Sequence, residues 1–314
     1  VYQDLTSTSS TGVKILYQYE IYRNDLDFDS KKYVTYNTQT GGQAMLFSAI
    51  DSLFPSEKPY NLNRFRLLTS LLLAIVFTLF LLWVKSTYNF TTSIVTLVLL
   101  VCSIWLTWFG NNLWWSLWSF YVPFLALLFY FKYRFSKNKP ILLKQLFLVG
   151  FLSFFVKCFF TGFEYITTTC IMTYVPVLFY GIDQRWQVRK FIKPTVATIV
   201  GVLSAIIFSC LILVFQISTI KGSLSAGFDH IIQSYSKRTS GSAEKFDAVY
   251  KASLESTNAE VLGKYFNGTA FDFNVFFNTQ WKSLLVIDFG ELILIFAFFS
   301  ALIFAFSKNK SFFL

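Results

Sequence analysis

The stretch FFVKCFFTGFEYITTTC, residues 154–170, carries a cation and an anion, Lys157 and Glu164, inside an otherwise apolar and aromatic run. An ammonium can hold an anionic oxygen and a carboxylate can take a proton, so the pair is a candidate for chemistry. Asp288 and Glu291 in VIDFGELI stand three apart, the spacing of neighbours on one helical face. Three alternating acids, Asp25, Asp27 and Asp29, open NDLDFDSKKY. WLTWFGNNLWWSLW sets Trp108, Trp115 and three further tryptophans around Asn111 and Asn112. Such rings stack on sugars, and such amides hydrogen-bond hydroxyls. Lys237 and Arg238 add cations in a later polar segment.

Each group also has a plainer reading. Lys157 and Glu164 can close a helical hairpin as an interfacial clasp. The tryptophans fit an aromatic belt at a membrane surface. The acids and the Lys237–Arg238 pair fit solvated turns. Which reading holds depends on where a membrane would lie.

Of the 314 residues, 54% are hydrophobic, 20% aromatic and 14% charged, a balance outside that of ordinary soluble domains. Several apolar runs approach the ~20 residues that cross a ~30 Å hydrocarbon layer. Seven spans are expected: Leu67–Val84, Thr92–Phe109, Leu113–Phe131, Ile141–Phe160, Phe163–Tyr180, Thr195–Ile217 and Leu284–Phe306. In lipid each must be helical, because an unpaired amide there costs several kcal/mol. The predicted fold class is therefore an all-α polytopic membrane protein. Its parts are a loop with a surface helix over 1–63, six spans over 64–218, a helical loop over 219–283, and a last span with a tail over 284–314.

The connection after the third span holds Lys132, Arg134, Lys137, Lys139 and Lys144; that after the fifth holds Arg185, Arg189, Lys190 and Lys193. The opposite short connections hold no Lys or Arg. The positive-inside rule puts the basic loops in the cytoplasm and the two long segments outside, in a multi-pass protein of the cell (inner) membrane. The net charge of +10 then needs no nucleic acid as partner. Exporting a first segment of about 60 residues needs a span ahead of it, so a preceding span is expected upstream of Val1.

Within the long segments, Ala44, Phe47, Ile50 and Leu53 recur at helical spacing, a surface helix ended by Pro55. Residues 242–256 and 257–268 read as two short helices, the second opened by a Thr257–Glu260 capping box. All four cysteines fall in spans, as packing residues rather than disulfides or metal ligands. The single histidine, His230, builds neither a histidine metal cluster nor a Ser/His/Asp triad. A divalent metal remains compatible with the acids, but no ligand motif is present.

An acidic first outer loop, a surface helix after it and a long later outer loop resemble the GT-C membrane glycosyltransferases. DFDSKKY, Asp27 to Tyr33, resembles the acidic-then-Tyr element of their first loops. The resemblance implies transfer of a sugar from a polyprenyl-phosphate donor in the membrane to a glycan, lipid or protein acceptor of the cell envelope. It also implies that a first-loop acid is the catalytic base: Asp29 or Asp27, ahead of Asp25, with Glu20 and Asp4 as further choices. Lys157, Glu164, Asn111, Asn112, Trp108, Trp115, Asp288, Glu291, Lys237 and Arg238 are then the candidate donor- and acceptor-binding groups, gathered at the outer face. Two other classes compete: a transporter or flippase for a lipid-linked or anionic solute, and a non-enzymatic assembly subunit. A transporter places charges near the midplane, often in repeated halves; these charges lie outward and no repeat is visible.

The topology has a direct test. A cysteine at Ser136 should react with an impermeant reagent only after permeabilisation, and one at Ser223 in intact cells; the reverse pattern overturns the orientation.

Overall fold

The computed structural model describes residues 38–55, 58–239, 242–245, 248–274 and 286–306. Asp25, Asp27, Asp29, Glu20 and Asp4 lie outside them. The described residues are mostly helical: α1 (Gly42–Leu53), α2 (Lys58–Thr87), α3 (Phe90–Cys102), α4 (Ile104–Gly110), α5 (Leu117–Ser136), α6 (Leu143–Thr161), α7 (Ile166–Asp183), α8 (Val188–Lys221), α9 (Leu224–Thr239), α10 (Ala248–Glu255), α11 (Asn258–Phe266) and α12 (Phe289–Phe306). Two short strands, β1 (Thr269–Asp272) and β2 (Val286–Asp288), precede α12. The chain forms two compact units. The first takes the described residues up to Thr87 with Phe109–Ile232; the second takes Tyr88–Trp108 and the described residues from Gln233 onward.

Among the described residues, four helices are long and apolar enough to cross a membrane: Tyr60–Thr87 of α2, and α6, α7 and α8. They coincide with the first, fourth, fifth and sixth expected spans. The other three expected spans take a different form. The second is divided between α3 and α4 at Ser103, whose ψ of 110° leaves the helical range. The 13 residues of α3 rise only about 20 Å at ~1.5 Å each, short of a bilayer core. The third starts later, at Leu117, because Asn112–Ser116 form a turn, and it ends in a stretch carrying Lys132 and Arg134. The seventh begins as β2 and turns helical only at Phe289.

In the first unit α6 and α8 make the most extensive contact. Small residues recur every fourth position along α8 at Gly201, Ala205 and Ser209, a spacing that lets two backbones approach. A Cβ on Gly201 would lie 2.6 Å from the Phe147 carbonyl oxygen, and one on Gly150 3.6 Å from that of Thr198. Helix α5 packs on α6 and α7, and α2 on α5. Where α5 and α7 end, Phe131 and Phe135 meet Tyr180 and Trp186 at ring distances between 5.4 and 6.2 Å. The Trp83 indole N–H donates to the Tyr180 hydroxyl at 3.0 Å. The outward faces stay apolar and exposed, at Leu71 and Ile75 of α2, Leu148 and Leu152 of α6, and Leu203 and Ile207 of α8. In water such surface is costly at about 25 cal/mol per Å²; against lipid it costs nothing, as four membrane-length helices require.

The second unit holds β1 and β2 as an antiparallel pair, with Thr269 opposite Asp288. The Trp105 indole N–H donates to the Thr269 carbonyl at 2.8 Å. The expected capping box is formed: Thr257 N–H donates to Glu260 Oε2 at 2.8 Å, and Glu260 N–H donates to Thr257 Oγ1 at 3.3 Å. These contacts hold the exposed Glu260 carboxyl below the usual carboxylate range. The helices expected over 242–268 correspond to α10 and α11; α9 and the strand pair were not anticipated.

The α6–α8 contact makes Gly201 sensitive. Gly201→Ala puts a methyl against a main-chain oxygen that moves only if the helices part, and overpacking of this kind costs about 1–3 kcal/mol. Thermal unfolding in detergent, followed by helix circular dichroism, should show a lowered midpoint. Gly263→Ala, where a Cβ meets nothing within 4 Å, should leave the midpoint unchanged or raise it. Equal midpoints for wild type and Gly201→Ala would mean that the backbones do not meet there.

Candidate functional site

The first-unit bundle has two chemically different ends. Helices α5 and α6 run to and from one basic connection, and α7 and α8 to and from the other. At the opposite end, the C-terminus of α6 meets the start of α5, the entry to α1, and α2. Buried polar side chains gather there: Thr40, Gln43, Thr69, Ser116, Ser119, Lys157 and Thr161, all at most 6% exposed.

Lys157 is the centre of this layer and is fully buried. Its ammonium donates to the main-chain carbonyls of Gly162 at 2.9 Å and Glu164 at 2.6 Å. It also stands 5.0 Å from the Phe120 ring centroid. An ammonium has three donors, and two carbonyls and a ring face occupy it. The sequence reading had both charges reaching the interface; the structure buries the lysine and makes the clasp through the backbone of the turn. Gly162 permits this turn because its φ is +64°, and a Cβ there would lie 2.7 Å from the Thr38 carbonyl.

The segment entering α1 is seated on the end of α6. Thr40 Oγ1 donates to the Phe159 carbonyl at 2.8 Å, while the Gln216 side-chain amide donates to the Thr40 carbonyl at 3.1 Å. Gly42 lies so close to Phe159 that a Cβ would come 2.4 Å from its ring. Gln43 donates to Thr69 Oγ1 at 3.4 Å and accepts from Ser116 Oγ. Ser119 Oγ donates to Thr161 Oγ1 at 3.4 Å, and that hydroxyl donates to the Lys157 carbonyl at 2.9 Å.

Beside this layer lies an open cleft of about 610 Å³. Gln39, Gln43 and Phe47 line one side, Leu113 and Trp114 another, and Leu213, Gln216 and Ile220 of α8 a third. No ionisable residue lines it among those described. The buried Gln39 Nε2 and the neighbouring Thr38 Oγ1 have no hydrogen-bond partner among the described residues. A ring, three amides and apolar walls suit an uncharged, hydroxyl-bearing group.

The residues singled out in the sequence divide between the two units. In the first, Asn112 Oδ1 accepts from the N–H groups of Trp114 at 2.7 Å and Trp115 at 2.9 Å, fixing the turn that presents Trp114. Asn111 is exposed and Glu164 half-buried. Trp115 packs edge-on to Tyr165 at 6.3 Å. In the second unit Trp108 is exposed, and Lys237 Nζ lies 4.9 Å from the Tyr250 ring centroid. Arg238 is in α9, and its side chain lies outside the description. Asp288 and Glu291 do meet, but as a helix start: Asp288 N–H donates to Glu291 Oε2 at 3.1 Å. The expectation of two acids along one helical face is corrected on this point, because Asp288 ends β2.

Trp114 is one of the five tryptophans singled out in the sequence; the cleft residues Gln39, Gln43 and Gln216 were not. Their signal was present: Gln216 is a lone amide within LILVFQIS, and Gly41–Gly42 beside Gln43 marks a close backbone approach. Among the described residues no group of three or more His, Cys, Asp or Glu is placed to hold a metal.

The clasp can be tested by removing its donor. Lys157→Met leaves two buried carbonyls unpaired at about 1–3 kcal/mol each, so the unfolding midpoint in detergent should fall clearly. Glu164→Gln keeps the main-chain acceptor and should cost less. Equal losses would assign the clasp to the carboxylate instead. No family model, no curated protein and no solved structure matches this chain, so its functional reading rests on the geometry of this bundle end.

Proposed function

We propose that the chain is an integral membrane glycosyltransferase of the GT-C kind. It moves a sugar from a polyprenyl-phosphate donor to a cell-envelope acceptor, with the cleft between α1 and α8 receiving a sugar ring. The observation that carries this reading is the make-up of the cleft. Trp114 offers a stacking face, and Gln39, Gln43 and Gln216 offer amides; the Gln39 Nε2 is buried and has no partner among the described residues. A buried donor left without a partner costs about 1–3 kcal/mol, which a hydroxyl of a bound sugar would relieve.

The acid proposed for catalysis, Asp29 or Asp27, stands 9 or 11 residues before Thr38 in the sequence. In the proposed step it takes the proton of the acceptor hydroxyl. That oxygen bonds to the anomeric carbon as the carbon–oxygen bond to phosphate breaks. The bonding pair leaves with the polyprenyl phosphate. Lys157 is committed to the hairpin carbonyls and is not the counter-charge for that phosphate.

The transporter reading gains no comparable support. Gly201, in the middle of α8, is packed against the α6 backbone.

The test is transfer from a radiolabelled lipid-linked sugar by the full-length protein in membranes. Asp27→Asn and Asp29→Asn remove a proton acceptor while keeping shape, and loss of the true base should cost about 10²- to 10⁴-fold in rate. Gln39→Ala and Trp114→Ala should raise the concentration of sugar substrate needed. If Asp27→Asn and Asp29→Asn both keep full activity, the base passes to Asp25, Glu20 or Asp4. If every first-loop acid is dispensable, a transporter or assembly subunit replaces the enzyme.

A further inference from the structure

The other end of the first-unit bundle collects cations without matching acids. Lys137, Lys139 and Lys144 lie on the α5–α6 connection and the first turn of α6, and all are exposed. Arg185, Arg189, Lys190 and Lys193 lie on the α7–α8 connection and the first turns of α8, and these too are exposed. The ring contacts of Phe131 and Phe135 with Trp186, at 6.1 and 6.2 Å, hold the two connections side by side. The seven charges thus make one face, and Asp183 is its only acid among the described residues.

This placement is unfavourable for the isolated bundle. Arg189, Lys190 and Lys193 sit at the positive end of the α8 dipole, and no acid stands in the first turn of α6 or α8. Crowded like charges also repel one another. Arg134 adds a buried cation beneath: 6% exposed, it donates to Gln145 at the start of α6 and faces the Tyr130 ring at 5.4 Å. Its Nε–H has no partner among the described residues.

The surroundings point to the chemistry of an anion that would suit these cations. Exposed apolar side chains interleave with the cations: Ile182 at 61%, Val188 at 76% and Ile192 at 51% beside the α7–α8 connection, and Leu142 at 43% beside the other. A soluble polyanion would satisfy the charges and leave this hydrocarbon in water. A phospholipid headgroup layer satisfies both, with phosphates on the cations and glycerol and acyl carbons on the aliphatic residues. We infer that this face is a docking surface for the phosphate headgroups of anionic phospholipids. The inference is independent of any enzymatic role for the cleft.

The experiment uses the whole chain reconstituted in phosphatidylcholine vesicles with spin-labelled phosphatidylglycerol or spin-labelled phosphatidylcholine. Electron paramagnetic resonance reads the motionally restricted fraction of each. At low salt, phosphatidylglycerol should be retained over phosphatidylcholine by about fivefold or more, the scale of one or a few surface cations. High salt should bring the ratio toward unity. The combined Arg189→Gln, Lys190→Gln, Lys193→Gln variant should do the same, as should Lys137→Gln, Lys139→Gln, Lys144→Gln. The corresponding Lys→Arg changes should keep the preference, and Lys221→Gln, at the far end of α8, should not alter it. Salt titration of the wild type makes the test without any substitution. Equal retention of the two lipids, or a preference that survives both high salt and the neutralising variants, overturns the proposal. Displacement of the labelled lipid by an equal concentration of inorganic phosphate would assign the face to a soluble anion instead and also overturns it.

Discussion

An ammonium with no water to turn to organises one end of this bundle. Lys157 sits on a membrane-length helix, and its partners are carbonyls freed by the turn that ends that helix. A helix terminus leaves acceptors unpaired, and a buried lysine leaves donors unpaired. Each removes the other's penalty. The tight α6–α7 connection depends on this, and the α1 entry in turn rests on the same turn through the close approach of Thr38 to Gly162. A carboxylate partner would have neutralised the charge but left the turn carbonyls orphaned.

From that clasp the hydroxyls and amides extend as a shared layer. Thr161 joins the Lys157 helix to Ser119, and Gln43 joins Ser116 to Thr69. Partners of this kind fix the position of a segment more tightly than apolar contact does, because hydrogen bonds are directional and lipid offers no substitute. The opposite end of the bundle is built differently, mainly from packed rings, with the Trp83–Tyr180 and Arg134–Gln145 hydrogen bonds beside them. Polar geometry thus lies beside the cleft, and aromatic packing lies beneath the cationic face.

What the sequence revealed follows from what hydropathy measures. It registers the solvent a segment prefers, so the four membrane-length helices were legible, though the polar first turns of α2 and α8 place their starts up to seven residues earlier than expected. The Thr257–Glu260 box was legible because both of its contacts lie within four residues. The Ser103 break was not: Ser103 interrupts no hydrophobic run. The Lys157 partners were hidden because main-chain acceptors carry no letter of their own. The cleft was hidden for a related reason. Gln39, Trp114 and Gln216 are distant in sequence, and nothing local marks them as neighbours. The acids of the first loop were legible as residues but fall outside the described part of the chain.

The seat of Thr40 has a consequence for biogenesis. Its hydroxyl waits for Phe159, 119 residues later, and its carbonyl waits for Gln216, 176 residues later. At roughly 5–20 residues per second, a ribosome needs on the order of 10–35 s to deliver the second partner after Thr40 has been made. Until α8 is made, the Gly41–Gly42 segment has only the α6 side of its seat, at Phe159. The earliest described stretch of the chain is therefore among the last to settle, and the mouth of the cleft closes around it only when α8 has been inserted.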